Sequence, residues 1–508
     1  MPDLDAKIIV NTEFDIGEVD PRLYGSFLEH VGRAIYGGIY DPHHPTADSH
    51  GYRTDVMDLV RELSVPLIRY PGGNFVSGYR WEDGIGPQNQ RKVRLDLAWR
   101  AVEPNLFGLN EFVEWARMVQ SEVMMVVNLG TRGIDEACSL LEYCNFPGGT
   151  YWSDLRIRHG YSSPHQIKVW CLGNEMDGPW QLGHKTADEY GRLAAETAHA
   201  MRQLDPSIEL VVAGSSHSRM PTFPEWERVV LEHTYQVVDY ISLHSYYGNA
   251  NQDSRDFLAS SVDMDQFINA VIAACDYVKA KMRASKTLYL SFDEWNVWFH
   301  SQQQDQTVAP WQVGPPLLED IYTLEDALVV GTLLITLLRH ADRVKMASLA
   351  QLVNVIAPIK ADPGQPAWRQ TIFYPFLHAS KWGRGRVLQT LIRAPLYSTR
   401  QYGDVPTLDA ICVDNESAGE LVIFGVNRHL TETLTVEIKL ENDQCYRGGE
   451  HVILYHDDLM ATNSAADPNR VRPYATSINS VIRDALTLRW PPHSWNVIRL
   501  KTTTDDSR

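Results

Sequence analysis

Residues 168–175, KVWCLGNE, and 287–294, TLYLSFDE, decide how the rest of this chain is read. Each is a short, nearly continuous apolar run that closes on a glutamate, Glu175 in the first and Glu294 in the second. Such a run fits a strand buried on both faces, the habit of parallel sheets covered by helices. A carboxylate at the C-terminal end of a buried strand is held rigidly and faces whatever the strand ends surround. Read singly, each glutamate also fits a helix-opening or salt-bridged surface acid. Two of them, on different strands of one α/β domain, are the minimum apparatus for splitting a glycosidic bond.

Six further runs of the same kind lie between residues 23 and 351. They are LYGSFLE (23–29), VPLIRYPGG (65–73), VMMVVNLG (123–130), ELVVAGSS (209–216), YISLHSY (240–246) and VKMASLAQ (344–351). Amphipathic stretches separate them, such as KTADEYGRLAAETAHAMRQL (185–204) and VDMDQFINAVIAACDYVKAKMR (262–283). Eight strand–helix alternations specify an α/β fold, a closed (β/α)8 TIM barrel over 18–385. No GxGxxG follows the first strand, which argues against an open dinucleotide-binding sheet. After about residue 385 long helices give way to short β-rich runs, among them LDAICVD (408–414), LVIFGVN (421–427) and SWNVIRL (494–500). This reads as an additional C-terminal β-sandwich, jelly-roll-like, over 386–508, with the N-terminal strand in 1–17 expected to join it. The tail KTTTDDSR (501–508) is polar and expected to fray.

The formal net charge of −18 argues against a polyanionic partner, so no nucleic acid and no anionic membrane surface is expected. The start MPDLDAKIIVNTEFD has neither a basic n-region nor an apolar h-region. The run ALVVGTLLITLLRH (327–340) is too short to span a bilayer. None of the six cysteines forms a CxxC pair, and buried free thiols in a reducing cytoplasm are the expected state. The adjacent His43 and His44 read as solvated. Without HExxH or CxxC no metal site is expected, and without GxSxG no serine hydrolase. No cofactor is called for.

At the ends of the eight runs stand Glu29, Arg69, Asn74, Asn174, Glu175, His244, Tyr246, Glu294 and Gln351. These are the polar groups that sugar hydroxyls require. Trp81, Trp180, Trp298 and Trp311 are near in sequence and offer faces for the apolar side of a sugar ring. In RYPGGN (69–74) the Pro-Gly-Gly turn lets the backbone approach a ligand closely. Residue types and strand positions alone leave open a xylanase, a β-galactosidase or a β-glucanase. A non-catalytic carbohydrate-binding protein has no reason to keep both strand-end glutamates. A metal-dependent barrel hydrolase is a third class, separable by EDTA.

The motifs FLEHVGRAIYGGIYDP (27–42), IRYPGGNFVSGYRWEDGIGP (68–87), CLGNEMDGPWQ (171–181), ISLHSYY (241–247) and FDEWNVW (292–298) together resemble the α-L-arabinofuranosidases of glycoside hydrolase family 51. The likeness runs through the whole chain; Arg80 departs from it where Asn is more usual. It implies a retaining exo-hydrolase that releases terminal α-L-arabinofuranosyl units from arabinoxylan- or arabinan-derived oligosaccharides. By resemblance Glu175 is the acid/base and Glu294 the nucleophile. Glu29, Arg69, Asn74, Asn174, His244, Tyr246, Trp298 and Gln351 are then the substrate-binding set. With no secretion signal visible a cytoplasmic site of action is expected, and the resemblance implies a homo-oligomer, as a hexamer. The segment 299–320, FHSQQQDQTVAPWQVGPPLLED, is long for a βα loop and is expected to border the site as a lid or subsite wall, with Trp311 or Trp298 against substrate.

Overall fold

The structure is a computed structural model that describes residues 4–441 and 445–502. Each of the eight apolar runs coincides with one barrel strand, in whole or in part: β1 (Gly25–Phe27), β2 (Leu67–Tyr70), β3 (Glu122–Val127), β4 (Val169–Leu172), β5 (Glu209–Val212), β6 (Tyr240–Tyr247), β7 (Tyr289–Val297) and β8 (Val344–Ala350). They pair in parallel in chain order, and β8 returns to β1 through Ser348–Gly25 and Ala350–Phe27 to close the barrel. Side chains alternate along β3: Met124 and Val126 join Leu67, Val169, Cys171, Val211 and Met346 in one cluster, while Met125 and Val127 join the larger core beneath the helices. Both faces of each strand are therefore dry, which is why the runs are apolar without alternation.

The intervening helices begin where their caps dictate. Thr186 and Glu189 form a capping box at Ala187–Leu204, and Thr323 with Asp326 does the same at Leu324–Arg339. The second of these contains the apolar run noted above. It is buried on all sides because the C-terminal sheet covers its outer face; a Cβ on Gly331 would sit 2.6 Å from Trp495 Cε3. Among the described residues no helix is long and apolar enough to cross a membrane.

The second unit is a nine-stranded, mainly antiparallel sheet that folds as a β-sandwich. The N-terminal strand Leu4–Glu18 runs antiparallel to Arg386–Arg393 and parallel to Leu434–Leu440, so it belongs to this sheet and not to the barrel. Alternation divides its faces: Leu421 and Ile423 pack with Ile8, Val10, Val436 and Trp490, while Val422, Phe424 and Val426 face the barrel's core. Lys501 and Thr502 continue the last strand, paired with Glu420 and Tyr446, so fraying does not begin at residue 501. Residues 503–508 lie outside those described. Cys144, Cys171, Cys275 and Cys412 are free, buried thiols, and Cys138 is free and partly buried. His44 is buried rather than solvated, with its ring nitrogens on Thr46 and on the carbonyl of Gln365.

Candidate active site

The C-terminal mouth of the barrel opens into a cavity of about 650 Å3. Its walls include Glu29, Asn74, Glu175, Tyr246, Glu294, Trp298 and Gln351, seven of the residues singled out in the sequence. Three others stand behind the wall. Arg69, Asn174 and His244 are almost wholly buried; Arg69 and His244 meet the carboxyls, and Asn174 accepts from Arg69.

Glu175 lies just beyond β4, in a turn where Gly173 has φ +83° and Glu175 itself φ +44°. A non-glycine residue rarely holds that conformation, and here it swings the carboxyl over the barrel mouth. Glu294 is not at the end of its strand, as its run suggested, but inside β7. Pairing with β6 shifts register between Ser291 and Glu294, and pairing with β8 between Phe292 and Trp295. This irregularity re-aims the side chain toward the cavity without ending the strand.

One oxygen of each carboxyl and the His244 ring nitrogen lie within 4.8 Å of one another. Tyr246 Oη donates to Glu294 Oε1 at 2.7 Å, and Arg69 Nη1 to Oε2 at 3.1 Å. Arg69 Nη2 also donates to Asn174 Oδ1 at 2.6 Å. Trp180 Nε1 donates to Glu175 Oε2 at 2.6 Å, and His244 Nδ1 lies 3.0 Å from Glu175 Oε1 and 3.6 Å from Glu294 Oε2. The other His244 nitrogen meets Asp293 Oδ1 at 3.0 Å. Burial acts to lower the His244 imidazole, but Glu294, Asp293 and Glu175 outweigh it and push it up to about 10. Burial raises the Glu294 carboxyl, the neighbouring Glu175 adds to this, and His244, Arg69 and the Tyr246 hydroxyl act against them.

Glu29 forms the opposite wall. Its Oε1 accepts from the Phe75 amide at 2.9 Å and from Trp99 Nε1 at 2.8 Å. Burial pushes this carboxyl up to about 8. The Pro-Gly-Gly turn has a local purpose here: a Cβ on Gly72 would fall 2.7 Å from Glu29 Cγ, and one on Gly73 2.8 Å from Glu29 Oε2. The glycines make room for an acid.

Trp99 escaped the reading of the sequence. It hangs from a hairpin, Arg94–Asp96 with Ala101–Glu103, inside the long β2-to-helix connection, and Asp96 holds its turn by accepting the amides of Ala98 and Trp99. The length of that connection was the available signal. Ser216, His217, Ser218 and Arg219, on the loop after β5, also line the cavity, and the His217 ring lies parallel to Trp180 at 6.2 Å. Of the four tryptophans named above, Trp180 and Trp298 line the cavity. Trp81 does not: it is buried against Tyr143 and Trp152. Trp311 is not in the wall either; its amide bonds the carbonyl of Arg100 in the turn of the hairpin. The segment 299–320 nevertheless borders the site through Leu318. Its base is clamped by Asp320, which accepts the amides of Phe299, His300 and Ser301, and by Glu319, which binds Arg33 and Lys360.

Comparison with known proteins agrees with this geometry. Residues 59–283 match the α-L-arabinofuranosidase 1 domain family and residues 293–494 the α-L-arabinofuranosidase C-terminal domain family. The chain is 59% identical to the intracellular exo-α-(1→5)-L-arabinofuranosidase of Halalkalibacterium halodurans, covering 98% of this chain and 99% of that one. It is also 59% identical to intracellular exo-α-(1→5)-L-arabinofuranosidase 1 of Bacillus subtilis, with the same coverage. The solved family 51 α-L-arabinofuranosidase of Bifidobacterium longum superposes with a TM-score of 0.94 at 46% identity, covering 98% of this chain and 99% of that one. A barrel whose mouth gathers paired carboxyls, built on this sequence and this architecture, belongs to the α-L-arabinofuranosidases of glycoside hydrolase family 51.

Proposed function

We propose that the protein is an exo-acting α-L-arabinofuranosidase working by two-step displacement with retention. Glu294 is the nucleophile and Glu175 the acid/base. The observation that carries this reading is the closeness of the two carboxyls, with an oxygen of each inside 4.8 Å. Retention uses a separation of about 5 Å, whereas inversion needs about 6.5–9.5 Å to seat a water between them.

Glu294 attacks the anomeric carbon while Glu175 gives its proton to the departing glycosidic oxygen. A water then enters, Glu175 takes its proton, and the glycosyl ester to Glu294 is broken. Tyr246, Arg69 and the charged His244 face the Glu294 oxygens and meet the negative charge of the attacking form. Glu29, Asn74 and Gln351 offer hydrogen bonds to the sugar hydroxyls, and Trp99 and Trp298 offer apolar surface. Three relatives at 56–59% identity carry the name intracellular exo-α-(1→5)-L-arabinofuranosidase, which supports arabinan-derived oligosaccharides as substrate and an intracellular site of action. A homo-oligomer is part of the same reading. Exposed Val93, Leu95 and Leu97, on and beside the Trp99 hairpin, are apolar surface that a second copy would cover.

The decisive experiment is leaving-group dependence with azide. Glu175→Ala should lose most activity on natural linkages, keep far more on aryl arabinofuranosides with acidic leaving groups, and yield a glycosyl azide of retained configuration. Glu294→Ala should be inactive on every substrate, and azide should give the inverted product. The opposite pattern would exchange the two roles.

A further inference from the structure

We propose that a divalent transition-metal cation, Zn2+ foremost, binds between His244 Nδ1, Glu175 and Glu294 and inhibits the enzyme in competition with its substrate. The inference rests on the same cavity as the proposed activity, but not on which glutamate plays which part.

The donor spacing is that of a small coordination sphere. His244 Nδ1 lies 3.0 Å from Glu175 Oε1 and 3.6 Å from Glu294 Oε2, and all three donor atoms fall within 4.8 Å of one another. Ligands about 2.0–2.2 Å from a tetrahedral zinc stand roughly 3.3–3.6 Å apart, so small rotations of two glutamates close the set. One imidazole and two carboxylates suit zinc and its first-row neighbours. Magnesium and calcium prefer oxygen ligands throughout.

A separate feature points the same way. A ligating histidine characteristically gives its second nitrogen to a carboxylate, which fixes the ring and the ligating lone pair. His244 Nε2 meets Asp293 Oδ1 at 3.0 Å. Asp293 is 1% exposed, and its Oδ2 lies 3.7 Å from Cys171 Sγ and 3.8 Å from Arg69 Nε. This buried prop leaves Nδ1 facing the two glutamates, and those line the open cavity, from which a water fills the fourth position.

The same contacts limit affinity. The cation must displace the Nδ1 proton of the charged His244, break the His244–Glu175 contact and compete with Arg69 for Glu294 Oε2, while Tyr246 keeps Oε1. The site is therefore weaker than a resident catalytic zinc centre and gives its metal up to a chelator. A cation there engages both reacting carboxyls and stands where the anomeric carbon must come.

The test uses the full chain, freed of metal by a chelator and titrated with Co2+ as a spectroscopic stand-in for Zn2+. One equivalent of Co2+ should develop the visible absorption of a low-coordinate ion, and Zn2+, EDTA and saturating L-arabinose should each abolish it. Zn2+ should raise KM for p-nitrophenyl α-L-arabinofuranoside at unchanged kcat. His244→Gln should lose the Co2+ absorption, and Asp293→Asn should weaken Co2+ binding by about 10–100-fold. Absorption that persists in His244→Gln, absorption that arabinose does not displace, or Zn2+ inhibition confined to kcat would overturn the proposal. The arabinose arm needs no variant, so a misfolded mutant does not protect the idea. The absorption also does not depend on turnover, so this inference and the proposed activity fail separately.

Discussion

Replacing Tyr246 by Phe tests the electrostatics of the nucleophile. The change removes one oxygen and keeps the ring, which packs edge-on against Trp298 with centroids 5.4 Å apart. The lost hydroxyl is the donor on Glu294 Oε1 at 2.7 Å, a part-buried contact in the cavity wall. A hydrogen bond to a charged group is worth about 1.5–3 kcal/mol, so kcat/KM should fall about 10- to 150-fold. The pH dependence has a definite sign. Burial already raises the Glu294 carboxyl, and Tyr246 opposes that rise. Without the hydroxyl the carboxyl titrates at higher pH, and activity that needs its ionised form is lost earlier as pH falls. The acid limb of the kcat/KM profile should therefore move up. The assay is hydrolysis of p-nitrophenyl α-L-arabinofuranoside across pH for both proteins, with calorimetry to confirm an unchanged fold. A loss below about threefold with an unmoved acid limb would refute the assignment of Tyr246 to the nucleophile.

Three other outcomes follow from particular contacts. Trp180→Ala should raise KM for arabino-oligosaccharides more than for a small aryl arabinofuranoside, since Trp180 lines the cavity beside Glu175, whereas Trp311→Ala should alter neither, because Trp311 packs outside the wall. Gly331→Ala forces a methyl against Trp495 at 2.6 Å and should cost about 1–3 kcal/mol, seen as a lower Tm in calorimetry with KM unchanged. EDTA treatment should leave kcat/KM for the aryl substrate unchanged or raise it; a loss restored by added metal would instead favour the metal-dependent hydrolase class.

The long connections were where sequence reading ran out. Trp81 stands in a motif quoted for the site, yet it turns inward onto Tyr143 and Trp152. Trp99 stands in an unremarked charged stretch, yet it reaches Glu29. Neither outcome follows from local pattern, because a loop residue's direction depends on what the loop crosses. The Asp320 clamp closes 299–320 on itself, but Glu319 ties that segment to Arg33 and Lys360, and only closure of the barrel makes those partners neighbours.

What the sequence determined by itself is the part written in short-range patterns. Burial on both faces makes parallel strands continuously apolar, so eight runs between helices announced the barrel. The loss of helices after residue 385 announced the sheet. The glutamates were visible because a carboxylate closing a dry strand is an expensive place for a charge. Tertiary structure alone decided the relations among these groups. The irregularity in β7 that turns Glu294 inward, the Asp293–His244–Glu175 chain and the Arg69 bridge to Glu294 all join residues of different strands. Their protonation and orientation depend on a shared low-dielectric cavity, which exists only once those strands have closed into a ring.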